Sequence, residues 1–325
     1  MSNQNLYTID GQTLLNTPME APRFVVSSLI PSGLHILGGS PKIGKSWMML
    51  WLCLQIAKGE NVWHYQTKQG TVLYLCLEDS YERIQSRLLD ITEDAPPNLH
   101  FSIMANTLAG GLDRQIESFI AEHPDTVLIV IDTLQNVRDE ASGASLYAND
   151  YRELKPLKEL SVKHRVAILC VHHLRKMKDD DPMNMLSGTS GLAGIVDTVF
   201  ILDREKRTEN NATLLCMGRD VESAELKLNF DHGTRTWQCL GAAEEVPLMD
   251  EVVSRVAEYL LSADDFSGTA TELSSEIEKS TGRAVSPATL KKKLMKHHGE
   301  LLEQGWRFSS RRTRSEKIIE IRRVR

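Results

Sequence analysis

Short runs of consecutive apolar residues punctuate this chain, and longer stretches of helical period separate them. Residues 34–37 read as a short buried strand. The runs at 71–77, 126–131 and 166–171 are unbroken and rich in β-branched residues, as strands buried on both faces require. A shorter strand is expected at 99–103 and a further strand region at 195–202. Residues 213–217 and 225–230 read as a terminal antiparallel pair turning through Gly218-Arg219-Asp220-Val221. Helices are expected at 47–58, 81–90, 111–122 and 149–164. Strands alternating with helices predict an α/β fold with a mostly parallel sheet. Residues 134–150 and 175–191 lack periodicity and read as loops. No internal repeat or low-complexity segment is present.

The two ends do not continue this pattern. Residues 1–33 are polar, are punctuated by Pro18, Pro22 and Pro31, and read as an extended arm with Phe24, Val25 and Val26 as anchors. Such an arm either packs on a neighbouring subunit or covers its own core. Near the other end, helices are expected at 248–261, with Thr269 or Thr271 capping a second at 271–280. Ser286 followed by Pro287 opens a third. Trp306-Arg307-Phe308 and residues 318–321 then alternate around the basic turn of Arg311, Arg312 and Arg314. Three helices and a hairpin resemble a winged helix, giving a small α+β domain. The expected domains are the arm at 1–33, the α/β domain at 34–240 and the tail domain at 246–325.

Composition places the chain among ordinary globular proteins, with 41% hydrophobic and 25% charged residues in 325. No apolar run approaches the roughly 20 residues of a membrane span, and the first ten residues lack the basic flank and apolar core of a signal peptide. A cytoplasmic protein with no membrane partner is expected. Five scattered cysteines, four in apolar runs, fit buried thiols in a reducing compartment, and no Cys/His spacing resembles a zinc site. The net charge of −6 divides unevenly. Residues 283–325 carry 13 Lys+Arg against 4 Asp+Glu, whereas residues 1–282 carry 25 against 40. A basic tail on an acidic body points to a polyanionic partner for the tail, or to a solvated charged surface.

The chemistry-bearing stretch is Gly39-Ser40-Pro41-Lys42-Ile43-Gly44-Lys45-Ser46, followed by Trp47 at the head of a helix. It fits the phosphate-binding pattern G-x-x-x-x-G-K-[ST] in the strand–loop–helix context that pattern needs. The glycines let backbone N–H groups approach phosphate oxygens, and the helix N-terminus adds partial positive charge. Lys45 reaches the β- and γ-phosphates of a nucleotide, and the Ser46 hydroxyl ligates Mg²⁺. The strand at 71–77 ends in Glu78-Asp79-Ser80. Ligands of open α/β sheets sit at the carboxyl ends of strands, so Glu78 stands where a carboxylate polarises water against a γ-phosphate. The alternative is that these three residues merely cap the next helix. The strand at 126–131 ends in Asp132, whose carboxylate would hold a Mg²⁺-bound water near Ser46. His172 and His173 end the strand at 166–171, where His173 could sense or hydrogen-bond the γ-phosphate; metal binding by the pair is disfavoured because adjacent side chains diverge.

These residues, with Gly188-Thr189-Ser190-Gly191, Asp197 and Met217-Gly218-Arg219-Asp220, resemble the RecA-type P-loop ATPases. More narrowly they resemble the RepA-like (AAA_25-type) hexameric replicative helicases of plasmids and phages, related to the DnaB helicases. The resemblance covers roughly residues 20–240. It implies ATP and Mg²⁺ as cofactors, a homo-oligomeric, hexameric ring with ATP between subunits, and DNA and other replication proteins as partners. Lys45, Ser46, Asp132 and Glu78 would act within one subunit, and an arginine of the neighbour would stabilise transition-state charge. Some RepA-type helicases carry that arginine where this chain has Phe200. Arg219 on the late hairpin is then the first candidate and Arg204 the second; alternatively Arg219 forms a salt bridge with Asp220 or Glu222. The DNA-contact candidates are Lys176 and Lys178 in the second loop, Lys291, Lys292 and Lys293 on the third tail helix, and Arg311, Arg312 and Arg314 of the hairpin. In a winged helix, that helix enters the major groove; the other use of such a domain is docking to protein. Besides an ATP-dependent DNA helicase, an ATP-gated DNA-binding regulator and a RecA-class recombination or loading ATPase without unwinding activity remain open.

Overall fold

A computed structural model describes residues 6, 8–138, 146–174, 190–204, 209–241, 244–312 and 316–324, with backbone alone at 146–150, 190–191 and 312. The chain divides into two compact units, Pro22–Leu248 and the combination of Met1–Ala21 with Met249–Arg325. The first described helix, α1 (Gly11–Asn16), belongs to the second of these.

The larger unit begins with the short antiparallel pair β1 (Phe24–Val26) and β2 (Ile30–Pro31). It continues through β3 (Gly33–Gly39), α2 (Lys45–Lys58), β4 (Thr71–Cys76), α3 (Tyr81–Ile91), β5 (Leu99–Ser102), α4 (Leu112–Glu122) and β6 (Thr126–Asp132). A 3₁₀ turn at Leu134–Val137 precedes α5 (Leu146–His164), β7 (Ala167–His173), α6 (Ser190–Ile195) and β8 (Thr198–Asp203). The unit closes with β9 (Asn211–Gly218), β10 (Ala224–Asp231) and β11 (Thr236–Cys239). Among the described residues these form a nine-stranded sheet in the order β11-β10-β9-β8-β3-β7-β6-β4-β5. Strands β8, β3, β7, β6, β4 and β5 are parallel, and β9, β10 and β11 are added antiparallel at one edge.

The unbroken apolar runs are explained by this sandwich. Successive residues of a strand face opposite sides, so each run feeds two cores. Leu37, Leu128, Val130 and Leu169 join α2 residues such as Met48, Cys53 and Ile56 on one face. Leu34, Ile36, Ile129, Ile131 and Ile168 join Ile116 and Leu157 of α4 and α5 on the other. Val25 and Val26, the expected anchors, are buried in the first core.

Several details differ from the expectations, and the expected loop at 134–150 holds a 3₁₀ turn and the start of α5. The stretch 1–33 is not one segment: residues up to Ala21 group with the C-terminal unit, where Ala21 N donates to Lys296 O, and the rest joins the sheet unit. The strand region at 195–202 begins only at Thr198, because a helical turn ends at Ile195. A third antiparallel strand, β11, follows the expected pair.

The smaller unit contains α7 (Glu251–Ala263), β12 (Phe266–Gly268), α8 (Ala270–Thr281), α9 (Pro287–Glu303), β13 (Trp306–Arg312) and β14 (Lys317–Arg323). Its three-stranded sheet has the order β12-β14-β13, all antiparallel. The caps are the ones the side chains favour. Thr269 and Glu272 form a reciprocal capping box at α8, and Ser286 caps α9 with Pro287 at its first position. Strand β12 has no counterpart in the sequence pattern; three residues flanked by helices carry too little periodicity to be read. One core built from Val253, Leu260, Leu273, Leu290, Trp306 and Ile321 holds this unit together.

Candidate nucleotide and metal site

The parallel register decides which strand ends meet. Gly39 pairs with His173 on one side and Leu202 on the other, and Cys76 pairs with Asp132. The carboxyl ends of β3, β4, β6 and β7 therefore converge. Lys45, Ser46, Glu78, Asp132 and His173 come together there from four elements.

The loop 39–46 is shaped by two backbone demands. Gly44 adopts φ +104°, a conformation costly for any residue with a Cβ, and there it becomes the N-cap of α2. At Gly39 a Cβ would sit 3.0 Å from Leu202 O and 3.1 Å from Lys45 Cδ. Lys45, only 5% exposed, folds back over the loop and donates to Gly39 O (2.7 Å), Ser40 O (3.1 Å) and His173 Nδ1 (3.2 Å). Burial pushes its pKa down to about 8, against the pull of Asp132 and Glu78. Burial also lowers the pKa of His173, and the Lys45 ammonium adds to that effect.

Asp132 ends β6 and is 6% exposed. Its carboxylate is hydrogen-bonded by the Ser46 hydroxyl and by Tyr74, whose OH donates to Oδ2 at 2.8 Å. Burial pushes its pKa up, and both hydrogen bonds oppose that rise. A serine hydroxyl beside a carboxylate is a hard-oxygen donor pair, the kind Mg²⁺ takes when it keeps several waters and is bound with substrate phosphates. The residues present fit that ion. Glu78 leaves the end of β4 exposed, and the Thr133 hydroxyl donates to its Oε1 at 3.1 Å. The capping alternative resolves by division of labour. Ser80 caps α3, Asp79 pairs with Arg83 (2.9 Å) and Arg87 (2.5 Å), and Glu78 is left within electrostatic range of Lys45 and Asp132.

Arg219 is not in this cluster. In the β8/β9 register Thr198 opposes Gly218, so Arg219 lies at the amino ends of the parallel strands, opposite the 39–46 loop of its own chain. Its guanidinium, 64% exposed, donates to Gly194 O at 3.0 Å and lies 3.9 Å from Asp197. Among the described residues neither Asp220 nor Glu222 pairs with it, so the expected alternative of a local salt bridge is replaced by a tie to Gly194 and Asp197. Arg204, the second candidate, follows β8 at the loop edge and stacks over Trp237 at 4.8 Å.

Sequence reasoning misses two contributors. Trp237 donates from Nε1 to Gly44 O at 3.2 Å, and its ring would meet a Cβ on Gly44 at 3.1 Å. Nothing local links positions 44 and 237. Tyr74 is, in the sequence, one more residue of a strand. Its place two residues before the end of the strand beside Asp132 is a usable signal, because alternation puts it on the same face as the residue paired with Asp132.

In the smaller unit the charge candidates separate. Lys292 is exposed and Lys291 half-buried on α9, but Lys293 pairs with Asp250 at 2.6 Å, so it is tied up within the fold. Arg311 pairs with Glu320 at 2.8 Å. Lys176, Lys178, Arg314 and the Arg312 side chain lie outside the described residues, as do Gly188 and Thr189.

A family model described as an AAA domain, AAA_25, matches residues 8–179. The chain belongs to that family. Among curated relatives, the DNA repair protein RadA of Streptococcus pneumoniae is 28% identical over 192 residues, 58% of this chain and 39% of that protein. The RadA of Synechocystis sp. is 24% identical over 269 residues, 79% of this chain and 46% of that protein. The chain thus spans less than half the length of either relative. Two solved structures share the fold. One, an ATPase domain, has a TM-score of 0.54 at 13% identity, covering 70% of this chain and 93% of that one. The other, a DnaB-like replicative helicase solved in a study of its interactions with primase, has a TM-score of 0.54 at 13% identity, covering 73% and 68%. This AAA_25 chain has a RecA-like fold with a P-loop in its α/β core and a small C-terminal domain. Among its described residues no helix is long and apolar enough to cross a membrane.

Proposed function

We propose that this protein is an ATP-driven DNA motor, a helicase or translocase that hydrolyses ATP with Mg²⁺ at the interfaces of a homo-oligomeric ring. One observation carries the reading most directly. Lys45, Ser46, Glu78, Asp132 and His173 meet at the carboxyl ends of the parallel strands, while Arg219, the first-choice finger, lies at their amino ends. An arginine so placed cannot reach the phosphates of its own chain, but a neighbouring copy could present it.

The chain's own residues divide the work. Backbone N–H groups of the 39–46 loop and the start of α2 receive phosphate oxygens. Lys45 exchanges its loop carbonyl partners for the β- and γ-phosphates. Ser46 and Asp132 would hold the metal, which when bound neutralises charge on the phosphate oxygens. Glu78, oriented by Thr133, accepts the proton of the attacking water. His173 sits on the other side of Lys45, in reach of the same phosphate. Trp237 braces the loop at Gly44, and Arg204 stacks on its ring.

The DNA part of the proposal draws support from the smaller unit. Its helix–strand–helix–helix–strand–strand order and its sheet order β12-β14-β13 support the winged-helix reading. Helix α9 offers exposed Lys292 and Lys296 for phosphates or the major groove. A second reading is a RecA-class recombination or loading ATPase without unwinding activity, and similarity to proteins named for DNA repair favours a role of that kind.

The test is ATP hydrolysis with and without DNA beside strand displacement on a forked duplex. Stimulated hydrolysis with displacement supports the motor. Stimulated hydrolysis without displacement selects the second reading. Absence of Mg²⁺-dependent hydrolysis in either condition overturns both.

A further inference from the structure

We propose that Tyr74 is a positioning residue for the metal site: its phenol locks the Asp132 carboxylate in the orientation that presents an oxygen to Mg²⁺ beside Ser46. This rests on the reading of Ser46 and Asp132 as the metal-holding pair.

The geometry starts from strand register. Tyr74 pairs with Val130 and Cys76 with Asp132 on the adjacent parallel strand. Residues 130 and 132 share a face, as do 74 and 76. The tyrosine therefore reaches the carboxylate two positions beyond its own partner on the neighbouring strand. Its hydroxyl donates to Asp132 Oδ2 at 2.8 Å, and both groups are buried. Tyr74 itself is 3% exposed and belongs to the apolar core with Val130 and Cys53.

A phenylalanine would serve that core equally well. The ring of Tyr74 packs 6.2 Å from that of Phe101 and needs no oxygen to do so. Burying a hydroxyl is unfavourable unless it is hydrogen-bonded, and here the partner is the one carboxylate assigned to the metal. The bond engages Oδ2 and fixes the carboxylate rotamer. Ser46 approaches the same carboxylate from the first turn of α2. An aspartate held on one side by the core and facing a serine hydroxyl on the other is preorganised for a cation. Without the phenol the carboxylate loses its anchor on the core side and gains freedom to rotate. Partners that orient a metal ligand in this way are worth about 10–100-fold in metal affinity.

The experiment measures metal coupling directly, without turnover. The affinity of a non-hydrolysable ATP analogue is read by tryptophan fluorescence, once with excess EDTA and once with saturating Mg²⁺. The ratio of the two is the metal's contribution. Tyr74→Phe should lower that ratio about 10–100-fold, leave the EDTA affinity unchanged, and melt within a few degrees of wild type. Asp132→Asn should collapse the ratio, and adding Tyr74→Phe to it should change nothing more. An undiminished ratio in Tyr74→Phe, when Asp132→Asn does collapse it, overturns the positioning role and leaves the metal assignment standing. A ratio unaffected by Asp132→Asn overturns the metal assignment and this inference with it. Equal loss with and without Mg²⁺ would mean that Tyr74 supports the fold of the site only, which also overturns the proposal.

Discussion

Acidification should destabilise the sheet unit through one buried imidazole. His35 lies in β3, the strand that delivers the phosphate loop, and has no exposed surface. Its Nε2 lies 2.7 Å from Pro31 O, so that nitrogen carries the proton of the neutral ring. Burial pushes its pKa down to about 4; the Pro31 carbonyl and Asp197 oppose the shift, and Lys158 adds to it. In the unfolded chain the value returns to about 6.5. Between those values the unfolded state binds the proton and the folded state does not, so stability falls as pH falls. The contribution is whole above about pH 6.5 and is lost on the way down to about 4. The two values give a loss of about 2 kcal/mol by pH 5 and about 3 kcal/mol by pH 4. Urea unfolding at about pH 7.5 and pH 5 reads this if His35→Phe is run beside wild type, because the variant cannot titrate there. The variant leaves Pro31 O without its donor and should start about 1 kcal/mol weaker. Wild type should then lose about 2 kcal/mol more than the variant on acidification. Equal losses in the two proteins would refute the argument that burial holds this imidazole neutral.

Other outcomes follow from the site. Glu78→Gln should bind ATP normally and hydrolyse it about 10²–10⁴-fold more slowly, because the amide keeps the shape and loses the base; lost nucleotide binding would make Glu78 structural. Arg219→Ala should lose about 10³–10⁵ in hydrolysis rate with little loss of ATP affinity. Mixing it with Lys45→Ala should recover activity, since some interfaces then pair an intact loop with an intact arginine. No recovery between subunits that demonstrably exchange would end the shared-site model. Gly44→Ala should cost about 1–3 kcal/mol through its left-handed backbone, and its Cβ would press on Trp237. Thermal melting reads this, and an unchanged midpoint would show that the loop relaxes without strain.

Much of the core is legible in the sequence because its signals are local. The glycines, Lys45 and Ser46 have to stand together for one loop to bind phosphate, so their spacing carries the site. Strands β3, β4, β6 and β7 announce themselves as apolar runs, since each is buried on both faces. Ser80, Thr269 and Ser286 mark helix starts through side chains that bond N–H groups three residues away. A terminal carboxylate on a buried strand points to the ligand edge, which makes Glu78 and Asp132 readable. Short or unpatterned pieces such as β12, and the splitting of the first 33 residues between two units, carry no such mark.

Tertiary structure alone decides how these pieces meet. Register between strands far apart in sequence puts Asp132 beside Cys76 and His173 beside Gly39. The same register places Arg219 at the opposite end of the strands from the loop of its own chain, where it ties to Gly194 and Asp197 instead of the alternative partners Asp220 or Glu222. Tyr74 on Asp132 and Trp237 on Gly44 are contacts across 58 and 193 residues. Lys293 turns inward to Asp250 while Lys292 stays exposed, although the lysines of that run look alike in sequence. The physical reason is common to all of these. Hydrophobic period, caps and loop motifs are properties of neighbouring residues, whereas register and side-chain partnership come from packing one whole element against another and leave no trace at either position alone.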